Sequence, residues 1–591
     1  MVVNHAIIVP SIISHKIKMK LSDCLAKIIQ DEKIECVFGL QGGAVVHLFD
    51  SIENNGTEVL YLHHEQAVGL AATSYAKVNN TLGCAIVTSG PAATNAITGL
   101  LSAWQDSVPC IFISGQTRTD QLSYGKKVRQ VGVQEVNIVD IVKPITKFAK
   151  CIYSANEFEG TVIEAIQIAK SGRPGPVWID LPVNLQWEDV NYAFMSNKKK
   201  ERSLNTDIKM DDKLFHQSIN WLAQSKKPLF ILGYGLRLSD THEKIIDILN
   251  EVSIPFVTTW NASDYAGTEN INNMGVIGMF GQKGANKIIF DSDLIVCLGT
   301  HLSTAHTTTL FDSYAKKAKK IIVNIDKNQL ENLNINFDLI INADLRTYIG
   351  SLEKIDLKSD KLWDDLDSYK SLNWSEPNKE NSINSFSFIK RLSSNVKEAC
   401  CYIIDGGGTA LYAGHQSTML KENDRLICSS AISAMGTGLA ESLGVAKTKK
   451  YDLMFCIIGD GSFIMNIQDL QSIVQEQINL KIIIINNNGY QAIRNTQNEF
   501  LEGRLYGTHP DWNLKMPSIE KIAVGFEVEY MKLSNPDFIN NNIEKILKHK
   551  GPLIAEVIVD ENQKPLFRQG FIKNDDGTFN PRDLSDMLVN E

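Results

Sequence analysis

The stretch GDGSFIMNIQDLQSIVQEQINLKIIIINNNG, residues 459–489, constrains this chain more than any other. The apolar run at 453–458 predicts a strand, residues 467–477 carry helical periodicity, and the apolar run 482–485 predicts a second strand. A strand–helix–strand crossover returns the chain in its original direction, so both strands end on one edge of a parallel sheet. Asp460 and Asn487, 487 − 460 = 27 residues apart, then become neighbours at that edge. A carboxylate, an amide oxygen and the main-chain carbonyl of Gly489 are hard oxygen donors suited to Mg²⁺, which completes its shell with water and substrate phosphates. Gly459 and Gly461 let the backbone come close to a diphosphate, and Ser462 adds a hydroxyl. In an ordinary βαβ unit the same residue types would instead cap a helix and a turn.

Gly-Asp-Gly followed at this distance by a double Asn resembles the diphosphate motif of thiamine-diphosphate (ThDP) enzymes. The N-terminal part of the chain extends the likeness. There a strand is followed by the loop Gly39-Leu40-Gln41-Gly42-Gly43, and Glu65 opens a helix of small residues, Ala67, Gly69, Ala71, Ala72 and Ala76. Such a helix permits close packing against another helix, one from a second subunit included. The turn Thr88-Ser89-Gly90-Pro91-Ala92-Ala93-Thr94-Asn95 follows, then Asp106-Ser107-Val108-Pro109 before a strand expected at 110–114, and after it Gly115-Gln116. Together with Gln134-Glu135-x-Asn137-Ile138-Val139 and Lys143-Pro144-Ile145-Thr146-Lys147, this order is similar to the acetolactate synthase branch of ThDP enzymes.

Strand-like runs alternate with helical periodicity along most of the sequence, the pattern of parallel α/β domains. Two polar stretches, 196–205 and 357–382, read as linkers, the second with Trp363 and Trp374 as isolated anchors. The expected organisation is α/β, with three doubly wound parallel-sheet domains. These are a pyrimidine-binding domain at 19–190, a central domain at 207–350 and a diphosphate-binding domain at 385–565, followed by a tail rich in Asp and Asn. Residues 1–18 read as an extension outside the fold. A net charge of −9 argues against nucleic acid or an anionic membrane as the main partner. Ten cysteines without any C-x-x-C point away from zinc sites and disulfide frameworks, and fit a reducing cytoplasm.

The resemblance implies a division of labour among named residues. Glu65 would act as the acid beside the cofactor's pyrimidine ring, because a carboxyl shielded by Ala67, Val68 and an aromatic ligand favours its protonated, donating form. The plainer account is an acid in the first turn of a helix. Gln134 matches a family glutamine near the reacting carbons. In Asp405-Gly406-Gly407-Gly408-Thr409, Gly408 and Thr409 fall to the cofactor. In Ser429-Ser430-Ala431-Ile432-Ser433-Ala434-Met435-Gly436, Met435 would sit under the thiazolium ring, and the Ser433 carbonyl would accept from the 4′-amino group. An ordinary core methionine is the alternative for Met435. Gly459, Asp460, Gly461, Ser462, Asn487 and Gly489 complete the cofactor site, with Asp460, Asn487 and Gly489 on the metal.

The expected chemistry is decarboxylation of a 2-oxo acid, pyruvate first, with carboligation to a carbonyl acceptor. Acetyl transfer to a keto sugar in surface polysaccharide synthesis and simple decarboxylation are the alternatives. Where acetolactate synthases carry a Met-Val pair and then a Trp, this chain has Ala492-Ile493 and Thr496, which implies a roomier, more polar acceptor pocket. Arg494 beside them could supply a positive charge. The family's central domain holds FAD with two arginines after the 294–298 strand, but here the segment reads Gly299-Thr300-His301-Leu302-Ser303-Thr304-Ala305-His306 and has neither. Gly233-x-Gly235 is only a fragment of a dinucleotide fingerprint. Because Glu65 and the Asp460–Asn487 cradle lie in different domains, the resemblance implies a homodimer or homotetramer with shared sites.

Overall fold

The computed structural model describes residues 16–193, 208–356, 363–375, 382–429, 431–576 and 578–589. The 196–205 stretch lies outside them. Strand β1 (Lys16–Lys20) runs into helix Leu21–Asp31 and pairs antiparallel with β8 (Asp189–Ala193). This corrects the expectation for Lys16–Lys18, which belong to the fold. Between them β2 (Cys36–Gly39), β3 (Glu58–Tyr61), β4 (Gly83–Val87), β5 (Cys110–Gln116), β6 (Phe148–Cys151) and β7 (Val177–Pro182) form a parallel sheet in the order β3-β2-β4-β5-β7-β6.

The middle sheet is built from β9 (Pro228–Leu232), β10 (Phe256–Thr258), β11 (Asn273–Val276), β12 (Leu294–Leu298), β13 (Lys319–Asn324) and β14 (Leu339–Asn342), ordered β11-β10-β9-β12-β13-β14. The third contains β15 (Cys401–Ile404), β16 (Arg425–Cys428), β17 (Met454–Gly459), β18 (Leu480–Asn486), β19 (Glu529–Leu533) and β20 (Leu553–Ile558), ordered β16-β15-β17-β18-β20-β19. All three sheets are parallel and covered by helices, so central strands such as Ile482–Ile485 of β18 are apolar on both faces. The first and third sheets share one connection order. In the third, the order reverses between β15 and β17, and the carboxyl ends of strands at such a switch point form a ligand crevice.

The small-residue helix Glu65–Asn79 packs against helices of its own chain. One neighbour is Ile97–Gln105, where a Cβ on Gly99 would lie 2.6 Å from the Gly69 backbone. The other is Thr437–Ala446 of the third domain, where a Cβ on Gly444 would come within 2.1 Å of the Ala71 carbonyl oxygen. Ser74 Oγ donates to the Glu441 carbonyl at 2.8 Å across this junction. Buried residues of the first and third domains therefore form one continuous hydrophobic cluster. Gly444→Val is expected to destabilise the protein at the upper end of the roughly 1–3 kcal/mol typical of overpacking, read as a lowered thermal midpoint.

The predicted 357–382 linker contains the helix Leu366–Ser371, and Trp363 is buried with its indole N–H donating to the Pro228 carbonyl at 3.0 Å. The tail also folds. Phe567–Arg568 pairs with Leu588–Val589, Phe571–Lys573 pairs with Phe579–Pro581, and Phe567 and Met587 are buried. The polar composition of the tail had concealed those apolar anchors.

Candidate functional site

β17 and β18 lie side by side in register, Gly459 opposite Ile485, so the segments that follow them share one edge of the sheet. The segment after β17 turns at once into a short helix, Asp460–Phe463, and the longer predicted helix is confined to Asp469–Gln475. Asp460 is buried. Its Oδ2 accepts the Gly489 amide at 2.7 Å, while Oδ1 is shut in without a partner. Burial pushes its carboxyl up to about 6, against the opposing pull of the Gly489, Gly461 and Asn487 amides. Asn487 is buried too, and its Oδ1 is likewise unpartnered. Two buried, unsatisfied oxygens on adjoining strand ends are costly unless a ligand uses them. A hard divalent cation fits that donor set. A Cβ on Gly459 would point into open space, leaving room at the cradle for a phosphate.

Gly489 adopts φ +121°, a conformation that L side chains rarely take. The loop it belongs to is held by Arg494. That guanidinium donates to the carbonyls of Asn487 at 2.6 Å, Thr508 at 2.9 Å, Asn488 at 3.1 Å and Glu561 at 3.3 Å. Arg494 thus faces inward and is spent on main-chain oxygens, which corrects its candidacy as a pocket charge.

Thr409 is the second residue of helix Gly408–Ser417 and accepts from Asn487 Nδ2 at 3.0 Å. A Cβ on Gly408 would meet the Ala492 methyl at 2.6 Å, and one on Gly461 the Tyr490 ring at 2.4 Å. Ser462 is buried, with its Oγ 2.4 Å from where a Gly407 Cβ would stand. Asp405 was passed over as a functional residue. Its buried carboxylate accepts the Gly407 amide at 2.9 Å and the Gly438 amide at 3.1 Å, tying the glycine turn to the first turn of helix Thr437–Ala446, which follows the next loop. That loop carries Ser433 at φ +47° and the half-buried Met435, beside the left-handed Gly436. Buried Lys77 and Asp106, 2.6 Å apart, brace its start: Lys77 donates to the Cys428 carbonyl at 2.9 Å, and Asp106 accepts the Ala431 amide at 3.4 Å. Gln491 also went unrecognised; it bonds Thr409 and Asn487 together.

Glu65 is a buried residue at the start of its helix, and Asn95 Nδ2 donates to its Oε2 at 3.0 Å. Gln134 is exposed at φ +57°, its carbonyl 2.3 Å from where a Cβ on Gly90 would stand. The Gly90–Asn95 turn therefore brings Glu65 and Gln134 to one edge of the first sheet. Glu135 holds the Gln134 loop by accepting the Ser123, Val131 and Gly132 amides. Ala492, Ile493 and Thr496 line the exposed face of helix Gln491–Phe500, whose Gln491, Arg494 and Gln497 point inward.

Comparison with known proteins finds the model "Thiamine pyrophosphate enzyme, N-terminal TPP binding domain" over residues 19–141. The corresponding central domain matches 216–352, and the C-terminal TPP binding domain matches 405–557. The chain is 28% identical to the acetolactate synthase large subunit of Haemophilus influenzae over 557 residues, covering 92% of this chain and 95% of that protein. It is 29% identical to the acetolactate synthase large subunit of Cyanidium caldarium, covering 93% and 94%. It is 27% identical to the acetolactate synthase isozyme 2 large subunit of Escherichia coli, covering 92% and 96%.

Proposed function

Because the chain belongs to the thiamine pyrophosphate enzymes through all three of its domains, we propose that it decarboxylates a 2-oxo acid, pyruvate first, and joins the remaining acyl unit to a carbonyl acceptor, using ThDP and Mg²⁺. The observation that carries this reading is the pair of buried, unpartnered oxygens on Asp460 and Asn487 at the third sheet's edge. Those two oxygens and the Gly489 carbonyl would hold the cation. Gly459, Gly461, Ser462 and the main-chain amides of Gly408 and Thr409, at the start of helix Gly408–Ser417, would hold the diphosphate, and Ser433 and Met435 the rings.

ThDP, when bound, supplies a carbon nucleophile for the keto group and accepts the electron pair left by departing CO₂. Glu65 Oε2 is occupied by the Asn95 amide, which leaves Oε1 to carry the proton exchanged with the ligand. Gln134 stands on the same edge, suited to orienting the keto acid. The opening of helix Gln491–Phe500 supplies the acceptor wall. Small Ala492 and polar Thr496 there favour a bulky, hydroxylated acceptor such as a keto sugar over a second pyruvate. The experiment is to incubate the protein with pyruvate, ThDP and Mg²⁺ alone and with a panel of oxo acids, aldehydes and keto sugars, measuring CO₂ and product mass. Acceptor-dependent CO₂ release is expected, with a product heavier than the acceptor by the elements of acetaldehyde, C₂H₄O. Absence of CO₂ with every acceptor would overturn the reading, and free acetaldehyde would identify a simple decarboxylase.

A flavin is not part of the proposal. Gly233 and Gly235 are small because they pack on Gly299, whose nearest backbone atoms lie 2.5 and 2.8 Å from where their Cβ atoms would stand. Burial pushes His301 down to about 4 and His306 to about 3, so neither replaces an arginine's charge.

A homo-oligomer with shared sites is part of it. Lys77 adjoins Cys428, at the start of the Ser433–Met435 loop, whereas Glu65 lies 77 − 65 = 12 residues back along the same helix, or about 18 Å at 1.5 Å per residue. The Glu65 end of one chain thus suits the cradle of a second copy. Met465, Ile493 and Tyr506 are 45%, 53% and 65% exposed around that cradle, apolar surface that a partner's first domain would cover.

A further inference from the structure

The Asn487 side chain has two ends, and only its oxygen can serve a cation. Which end faces the cradle is dictated from the far side. The main-chain carbonyl of Gln563 can only accept, so the Gln491 atom that reaches it is the Nε2 amide. Gln491 Oε1 is thereby turned to accept from Thr409 Oγ1 at 3.1 Å and from Asn487 Nδ2 at 3.0 Å. Thr409 has spent its single proton on Gln491, so its oxygen accepts the other Asn487 Nδ2 proton at 3.0 Å. Both amide protons are consumed, and Oδ1 is left buried and unpartnered. Arg494 fixes the carbonyls of Asn487 and Asn488, so rotation of the side-chain amide is the freedom that remains.

We propose that Gln491 and Thr409 are positioning residues, which relay the polarity of the Gln563 carbonyl to Asn487 and hold its amide oxygen toward the divalent cation of a bound diphosphate. The relay rests on the reading of the Asp460–Asn487 cradle given above. With both acceptors removed, the amide can turn its NH₂ group to the cation, where it repels rather than coordinates. Partners that orient metal ligands in this way typically contribute 10- to 100-fold in metal affinity.

The test titrates the full-length protein, saturated with ThDP, with Mn²⁺ and reads free Mn²⁺ by electron paramagnetic resonance. The parent is compared with Thr409→Val, Thr409→Ser, Gln491→Leu and the Thr409→Val/Gln491→Leu double variant, with metal-free thermal midpoints measured in parallel. The expected result is a Mn²⁺ Kd raised about 10-fold or less by Thr409→Val or Gln491→Leu and roughly 10- to 100-fold by the pair. Thr409→Ser, which keeps the hydroxyl, should bind as the parent does. Parent-like Mn²⁺ binding by the double variant would overturn the relay while leaving the cradle intact. A parent that binds no Mn²⁺ beside ThDP would overturn the cradle reading, and the relay with it. Should the double variant not fold, Thr409→Val against Thr409→Ser decides: weaker binding by the first alone supports the relay, and equal binding overturns it.

Discussion

Glu65→Gln is expected to leave ThDP bound and to lower pyruvate decarboxylation by roughly 10²–10⁴-fold, the range ascribed to a positioned general acid or base. The change is nearly isosteric and suits the site. An amide oxygen can take over the hydrogen bond that Asn95 Nδ2 makes to Glu65 Oε2, and the NH₂ group can still donate to a ligand. What the amide cannot do is release a proton and recover it. Hydrogen–deuterium exchange at the cofactor's C2 position should slow in step with turnover, and calorimetry should find ThDP affinity within a few-fold of the parent. Loss of ThDP binding, with no separate effect on exchange, would assign Glu65 to the helix terminus alone.

Asp460→Asn should have the second large effect, on binding rather than on proton transfer. The substituted side chain can still accept the Gly489 amide that Asp460 Oδ2 accepts at 2.7 Å, so the loop is expected to keep its shape. The negative charge is lost from a buried position, where little else near the cradle offsets a dication. Mg²⁺-dependent ThDP binding should weaken by more than about 100-fold, beyond the effect expected for residues that only orient a ligand. The Mg²⁺- and ThDP-dependent rise in thermal midpoint should vanish while the cofactor-free midpoint stays near that of the parent.

Much of this site is legible in the order of residues because it depends on local pattern. Apolar runs and glycines predict β17 and β18, and sheet geometry then brings Asp460 and Asn487 together. The strand predicted at 294–298 is the strand observed, Leu294–Leu298. What escaped depends on orientation and on distant partners. Arg494 and Thr496 share one helix two residues apart, and only its rotation against the body decides that the first points inward and the second outward. Gln491 gains its role from the carbonyl of Gln563, 72 residues away. Gly69 and Ala71 announce close helix contacts, but of the two neighbours only Gly99 is near in sequence, and Gly444 of the third domain, against Ala71, lies 444 − 71 = 373 residues downstream. The tail reads as polar because Asp and Asn outnumber the few side chains, Phe567 and Met587 among them, that anchor it.

Glu65 and the Asp460–Asn487 cradle are proposed to act on one cofactor, with each site assembled from two copies of the chain. Mixing Glu65→Gln chains with Asp460→Asn chains under conditions that exchange subunits tests it most directly. In a mixed dimer with shared sites, both lesions fall in one site and the other is intact. With an acceptor present, and ThDP and Mg²⁺ at levels that load the parent but not Asp460→Asn, random pairing should therefore restore about a quarter of parental CO₂ release from pyruvate, against about a hundredth or less for either variant alone. Activity no greater than the sum of the two separate variants would contradict the shared site.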